Sequence, residues 1–144
     1  MDYVLDETTS EYGQLMCDFF EILRGHIGSL PPDAVLSVQS LTVLTCLGKK
    51  YGLGSWIRMG DSSNPGLVGA RIESMYCVNN ELFMVLDIYP EMQRDADGVL
   101  YLPDASAPPK REAVPVHDIT YLNGMWGVGR NAAGSGRCFV ESPI

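Results

Sequence analysis

The clearest pattern of apolar and polar positions along the chain lies between residues 66 and 89. Two runs rich in β-branched and aromatic residues, 66–76 and 81–89, flank the turn-forming segment Cys77-Val-Asn-Asn80. Runs of this kind on either side of a turn signal are typical of a β-hairpin. The pattern therefore predicts that the C-terminal half of the chain contains a small β unit.

Shorter apolar runs around this hairpin predict further strands at 55–59, 99–102, 114–116 and 119–122. The dipeptides Asp97-Gly98 and Asn123-Gly124 favour tight turns between such strands. We therefore expect an antiparallel β-rich part that spans residues 55–126.

The N-terminal third has helical rather than alternating spacing. Thr8 and Glu11 form a capping-box pattern, apolar residues follow at helical spacing from position 12 to 23, and glycines stand at 25 and 28. A second helix is expected after Pro31-Pro32, because residues 34–47 are apolar on most sides. Since this second segment is rich in Val, Thr and Cys, a strand is the alternative.

The C-terminal end is rich in glycine, with five glycines between positions 124 and 136. Glycine loses more backbone entropy on ordering than any other residue, so such a stretch needs apolar anchors to become ordered. Trp126 and Phe139 are the anchors available. We expect residues 127–144 to form an arm that docks either on the chain's own core or on a neighbouring subunit.

Together these patterns predict an α+β fold in a single domain, residues 1–144. Two N-terminal helices within residues 1–52 would pack on a small antiparallel β-sheet or barrel formed by residues 55–126, followed by the Gly-rich C-terminal arm at 127–144. Residues 66–72, the hairpin and residues 114–122 resemble the small five- to six-stranded barrels of the Src-homology type. This resemblance implies an SH3-like barrel for the β-rich part.

Charge adds a second feature to the N-terminal segment. The net charge of the chain is −8, and residues 1–21 hold six acids and no base. Direct nucleic-acid binding is not expected, because it needs clustered Lys and Arg. Asp6, Glu7 and Glu11 would stand near the positive end of the first helix. They form either a solvated helix face or a negative patch that docks on a basic partner.

With 46% hydrophobic and 19% charged residues, the chain has the composition of a globular protein. Its apolar runs are too short and too polar to span a bilayer, and its first residues lack the features of a signal peptide. Its four cysteines match no zinc or disulfide spacing. We expect a cytoplasmic protein with reduced cysteines and no membrane contact, or one of the host cytoplasm or virion if a phage encodes it.

The sequence contains no motif for catalysis, metal binding or cofactor binding. Residues 93–104 suggest a calcium loop through Asp95, Asp97 and Gly98, but Gln93 stands where the first aspartate ligand is required. His26 and His117 are the two histidines that a cysteine nucleophile could use as a base, and nothing pairs either with a particular cysteine. We therefore predict neither an enzyme nor a bound metal or cofactor.

Three hypotheses for the function follow from these features. The first is a non-enzymatic assembly or protein-interaction module, such as a phage structural or accessory subunit, that self-associates or binds a protein partner through Trp126 and Phe139. The second is an acidic inhibitor, a nucleic-acid mimic or anti-defence protein, that uses Asp6, Glu7 and Glu11 to occupy a basic groove. The third is a small-molecule binding domain or a minor cysteine hydrolase that uses His117.

Overall fold

The computed structural model describes residues 3–10, 38–46, 48–78 and 81–142. These residues form an antiparallel β-structure with one turn of 3-10 helix at Val116–Asp118. The strands, in chain order, are β1 Tyr3–Ser10, β2 Val38–Cys46, β3 Lys49–Gly52, β4 Trp56–Gly60, β5 Val68–Val78, β6 Glu81–Tyr89, β7 Gln93–Arg94, β8 Leu100–Pro103, β9 Lys110–Pro115, β10 Tyr121–Arg130 and β11 Gly136–Glu141.

The predicted α+β class is wrong, because the described residues contain no α-helix and are mostly antiparallel sheet. The segment predicted as the second helix holds strand β2, which pairs with β1, β3 and β5. The abundant β-branched residues of this segment favour a strand once partner strands are available. Thr8 of the predicted first helix lies in β1, and residues 11–37 lie outside the described residues.

The predicted hairpin is confirmed, since β5 pairs with β6 from Gly69–Tyr89 to Val78–Glu81. By contrast, the turn predicted at Asn123-Gly124 is wrong, because both residues lie inside β10 opposite β4. Asn123 is held there because its side-chain amide donates to the Glu141 carboxylate and to the Ser142 carbonyl. These bonds satisfy a polar side chain that would otherwise favour a turn.

The sheet curls because β9 and β10, which stand at the two ends of a run of five paired strands, are consecutive in the chain. β9 pairs with β6, β6 with β5, β5 with β4, and β4 with β10. In a flat sheet these four spacings would separate β9 from β10 by about 19 Å. The short connection between them contains the 3-10 turn, which rises only about 2 Å per residue. The result is a small all-β, barrel-like domain.

Two apolar clusters fill the described part of the chain, one inside the curl and one on its outer face. The first takes side chains from β2 to β6, β9 and the 3-10 turn, including Leu41, Leu44, Ile57, Ile72, Met84, Leu86 and Val114. The second consists of Met92, Leu100, Met125 and Phe139, with Trp56, Tyr89 and Leu102 packed against them. Strands β8 and β11 therefore form a flap over the outside of β4 and β10.

The C-terminal arm packs on its own chain. β11 pairs with β10 on one side and with β8 on the other. At Gly136 the two backbones approach so closely that a Cβ atom would lie 2.6 Å from the Leu102 carbonyl oxygen. A glycine is therefore required where the arm meets β8.

Candidate functional site

Strand β10 changes surroundings halfway along its length. Residues 121–125 pair with β4, whereas from Trp126 onward the strand runs past the first residue of β4 and pairs with β11 alone. On this extension Trp126 is 48% exposed, its cross-strand partner Val140 is 42% exposed and Val128 is 52% exposed. We call these three side chains the Trp126 ridge.

A cleft of about 330 Å³ lies beside the ridge, at the end of the curled sheet. Its described lining combines aromatic rings, glycines and one cation, and contains no carboxylate: Lys50, Tyr51, Gly54, Ser55, Trp56, Gly124, Met125, Trp126, Gly127 and Ser142. The glycines in the lining expose their backbone atoms to the cleft, because they have no side chain. A ligand in the cleft would therefore meet aromatic faces and peptide groups.

The cleft stays open because the chain before β4 turns away from β10. The Gly54 N–H donates to the Ile72 carbonyl at 2.7 Å, and the Ile72 N–H donates to the Ser55 carbonyl at 2.9 Å. Two residues of one strand thus oppose one residue of β5, which is the geometry of a β-bulge. Gly54 has a φ of +80°, a conformation that favours glycine.

Among the described residues, this bulge leaves one edge of β10 without a partner strand at Gly127. The Gly124 carbonyl accepts the Ser142 N–H at 2.7 Å, so Gly124 turns its peptide groups toward the arm. Peptide groups alternate between the two edges of a strand, so those of Trp126 also face β11 and those of Gly127 face the opposite edge. No strand in the described ranges lies opposite Gly127 on that edge.

Two cations flank this open edge. Lys50 lines the cleft together with Trp126. Arg137 has its guanidinium 5.7 Å from the ring centre of Trp56 and 5.5 Å from that of Phe139. A Cβ atom on Gly127 would lie 3.4 Å from Arg137 Nη2, so the guanidinium lies over one face of the strand at Gly127. Two cations therefore stand near this edge, and the carboxylate of Glu141, opposite Met125, is paired with Arg58 and Arg94.

A buried polar cluster behind the cleft ties the flap to the curled sheet. The Glu141 carboxylate lies 3.5 Å from Arg58 Nε and 3.6 Å from an Arg94 nitrogen, and it accepts the Tyr121 hydroxyl at 3.1 Å. Burial lowers the pKa of Arg58, an effect that the Glu141 charge opposes. Burial and then the hydrogen bond to Glu141 raise the pKa of Tyr121. Arg58 Nε is buried and pairs with Glu141 by charge without a hydrogen bond. Because Glu141 joins Arg58, Arg94 and Tyr121 across β4, β7, β10 and β11, we regard the cluster as structural.

The structure separates the residues that were predicted to bind a partner. Trp126 lies at the cleft, whereas Phe139 is 2% exposed and belongs to the second apolar cluster. Asp6 and Glu7 lie in strand β1, and Glu11 lies outside the described residues. Only Trp126 of this set is therefore placed at the candidate site.

The residues of the hydrolase hypothesis lie away from the cleft. His117 is exposed, and its Nδ1 lies 3.2 Å from a Glu81 carboxylate oxygen. Cys77 and Cys138 are free cysteines, and Cys46 and Cys138 are buried. Throughout the described ranges, no group of His, Cys, Asp and Glu side chains is arranged to hold a metal ion.

Sequence reasoning missed Lys50, Tyr51 and the open edge at Gly127. Lys50 lies in strand β3, and its place at the cleft depends on how that strand packs. The glycines at 52, 54, 124 and 127 were visible as a signal, but their meeting at one cleft depends on pairing between distant strands.

No family model, curated protein or solved structure matches this chain. Within the residues that the structure describes, no helix has the length and apolar character needed to cross a membrane.

Proposed function

We propose that this chain is a non-enzymatic protein-interaction module and that the Trp126 ridge and its cleft are the contact surface. The observation that carries the proposal is the half-exposed Trp126, which lies opposite the exposed Val140 of β11 and two residues before the exposed Val128, on a strand that extends past the curled sheet. Clustered exposed apolar side chains mark interaction sites, and tryptophan is among the residues that contribute most to binding energy.

A protein partner fits this surface better than a small molecule. The ridge continues beyond the cleft along β10 and β11, so the apolar surface is longer than the 330 Å³ cavity. Small-molecule sites enclose most of their ligand in a concave pocket, whereas a ridge with an adjoining groove suits a chain segment. The described lining holds neither a histidine nor a carboxylate that would act as a general base.

The proposal is tested by selecting peptides from a displayed random library on the immobilised full-length chain. Binders are then measured against Trp126→Ala and against Leu67→Ala. Leu67 is a matched control because it is also an exposed apolar residue, 41% accessible, and lies before β5 rather than at the cleft. We expect Trp126→Ala to weaken binding by about 30-fold, the cost of removing a central aromatic anchor, and Leu67→Ala to change it less than about threefold.

Light scattering of the purified chain over a range of concentrations shows whether the partner is a second copy. A mass that rises with concentration in the wild type but not in Trp126→Ala identifies self-association through the ridge. The proposal is wrong if the library yields no saturable binder, or if Trp126→Ala and Leu67→Ala retain the wild-type affinity and mass.

A further inference from the structure

We infer that the partner is an extended acidic segment that adds to the open edge of β10 as an extra strand. The inference rests on the proposed function and gives the partner its chemistry. Three features carry it: a peptide edge at Gly127 with no partner strand in the described ranges, the exposed Trp126 ring beside it, and two nearby cations, Lys50 and Arg137, without a carboxylate in the described cleft lining.

The edge supplies the main-chain bonds. Gly127 turns its N–H and C=O away from β11, as the Gly124–Ser142 bond requires, and the bulge at Gly54 keeps β4 from covering them. Unpaired peptide groups at a sheet edge are a template for strand addition. Since Gly127 has no side chain, an incoming backbone meets no steric block there. Because β4 covers β10 as far as Met125 and a register shift follows Gly127, Gly127 is the residue that offers regular outward-facing pairing.

The side chains beside the edge select the sequence of the added strand. Successive residues of a strand project to opposite faces, so alternate side chains of the partner would meet two different surfaces. On one face they meet the Trp126 ring with Lys50 nearby, and on the other they meet the Arg137 guanidinium. A partner strand in which apolar residues alternate with carboxylates would contact the Trp126 ring through its apolar side chains and Arg137 through its carboxylates. The cations near the edge would attract such an acidic strand.

The probe is the fluorescein-labelled peptide (Glu-Val)4, compared with (Lys-Val)4 of the same length and alternation, in fluorescence anisotropy titrations. Wild-type chain should bind (Glu-Val)4 at least about tenfold more tightly than (Lys-Val)4. Addition of salt should weaken binding of the acidic peptide, because screening reduces the attraction to Lys50 and Arg137.

Two substitutions of the same glycine separate strand addition from simple contact. Gly127→Pro removes the outward N–H, and a proline is tolerated at an edge whose N–H faces solvent. Gly127→Ala keeps that N–H and adds a Cβ atom next to the flexible end of Arg137. We expect Gly127→Pro to lose at least about tenfold in affinity and Gly127→Ala less than about threefold. Circular dichroism and thermal unfolding confirm that each variant is folded before it is titrated.

Charge reversal tests the identity of the cations. Lys50→Glu should weaken (Glu-Val)4 binding several-fold, whereas Lys110→Glu makes the same change of charge on β9, away from the cleft, and should have little effect. If Gly127→Pro is unfolded, the acidic-strand inference is tested by the two charge reversals and by the comparison of (Glu-Val)4 with (Lys-Val)4.

The outcomes distinguish this inference from the proposed function. Strand addition is wrong if peptides whose binding depends on Trp126 bind Gly127→Pro with wild-type affinity, or if they show no preference for acidic sequences. Such peptides would still support the proposed interaction module. Equal binding of the two probes, or no saturable binding of either up to about 1 mM, also overturns the inference. Binding that ignores Trp126 overturns the proposed function itself.

Discussion

At the scale of single residues, a Cβ atom would meet an obstacle at two glycines, a backbone carbonyl in one case and a side chain in the other. At Gly136 the obstacle to a side chain is the Leu102 carbonyl, which belongs to a paired strand and has no room to yield. At Gly69 the obstacle is the end of the Met92 side chain, which lies across β5 in the second apolar cluster. A methionine end can adopt another rotamer, whereas a paired backbone cannot move alone.

We therefore expect Gly136→Ala to lower the free energy of unfolding by about 2–3 kcal/mol and Gly69→Ala by about 1 kcal/mol. Gly66→Ala is the control, since a Cβ atom there meets nothing within 4 Å. Urea unfolding curves of the three variants check the ranking. Equal losses of unfolding free energy for Gly136→Ala and Gly69→Ala would show that the backbone at position 136 adjusts as easily as the Met92 side chain.

Tyr51 offers a test that depends on pH. Burial, followed by the nearby Cys46 and Tyr121, raises the pKa of Tyr51 above its ordinary value of 10.0. The neutral phenol is thus favoured in the folded chain, so its contribution to stability is complete below pH 10 and is lost as the pH rises through the folded-state pKa. The melting temperature of wild type should fall relative to that of Tyr51→Phe between pH 9 and about 11. Parallel melting curves over that range would contradict the assignment.

At the scale of elements, β10 joins two environments within one continuous strand. Its first half lies between β4 and β11, while its second half has β11 on one side and an open edge on the other. The alternation of peptide groups makes neighbouring amides differ, because Trp126 faces the arm and Gly127 faces the open edge. This alternation is the basis on which a strand could be added.

Amide hydrogen exchange checks the alternation directly. The Trp126 amide should exchange at least about tenfold more slowly than the Gly127 amide after correction for intrinsic rates, because only the former is hydrogen-bonded in the β10–β11 ladder. The Met125 amide is an internal reference, since it faces β4 opposite Trp56. Comparable protection at Trp126 and Gly127 would mean that the open edge is covered.

At the scale of the whole molecule, the two aromatic anchors of the C-terminal region have opposite roles. Phe139 is buried against Trp56, with ring centres 4.8 Å apart, and helps to hold the flap on the curled sheet. Trp126 is 48% exposed and lies opposite Val140 in the β10–β11 ladder. Phe139 therefore stabilises the fold, while Trp126 remains exposed at the surface.

Alanine substitutions should separate these roles. We expect Phe139→Ala to cost about 3–4 kcal/mol of unfolding free energy, and Trp126→Ala less than about 1 kcal/mol, the worth of one exposed cross-strand pair. Chemical denaturation monitored by far-ultraviolet circular dichroism measures both values without relying on tryptophan fluorescence. A large loss for Trp126→Ala would indicate that the ridge is part of the chain's own core.

The sequence by itself determined the features that depend on neighbouring residues. The hairpin of β5 and β6 and the turn at Asp97-Gly98 were predicted because alternation and turn chemistry are local properties. The choice of Trp126 as a contact residue, made from its place among glycines, remains a prediction.

The tertiary structure decided the features that depend on distant partners. Residues 38–46 became a strand because β1, β3 and β5 supply ladders for it, and apolar content alone does not distinguish a buried strand from a buried helix. Asn123 stays within a strand because Glu141 and Ser142 bind its amide. The open edge at Gly127 exists because β4 begins at Trp56, and only long-range pairing sets where one strand ends beside another.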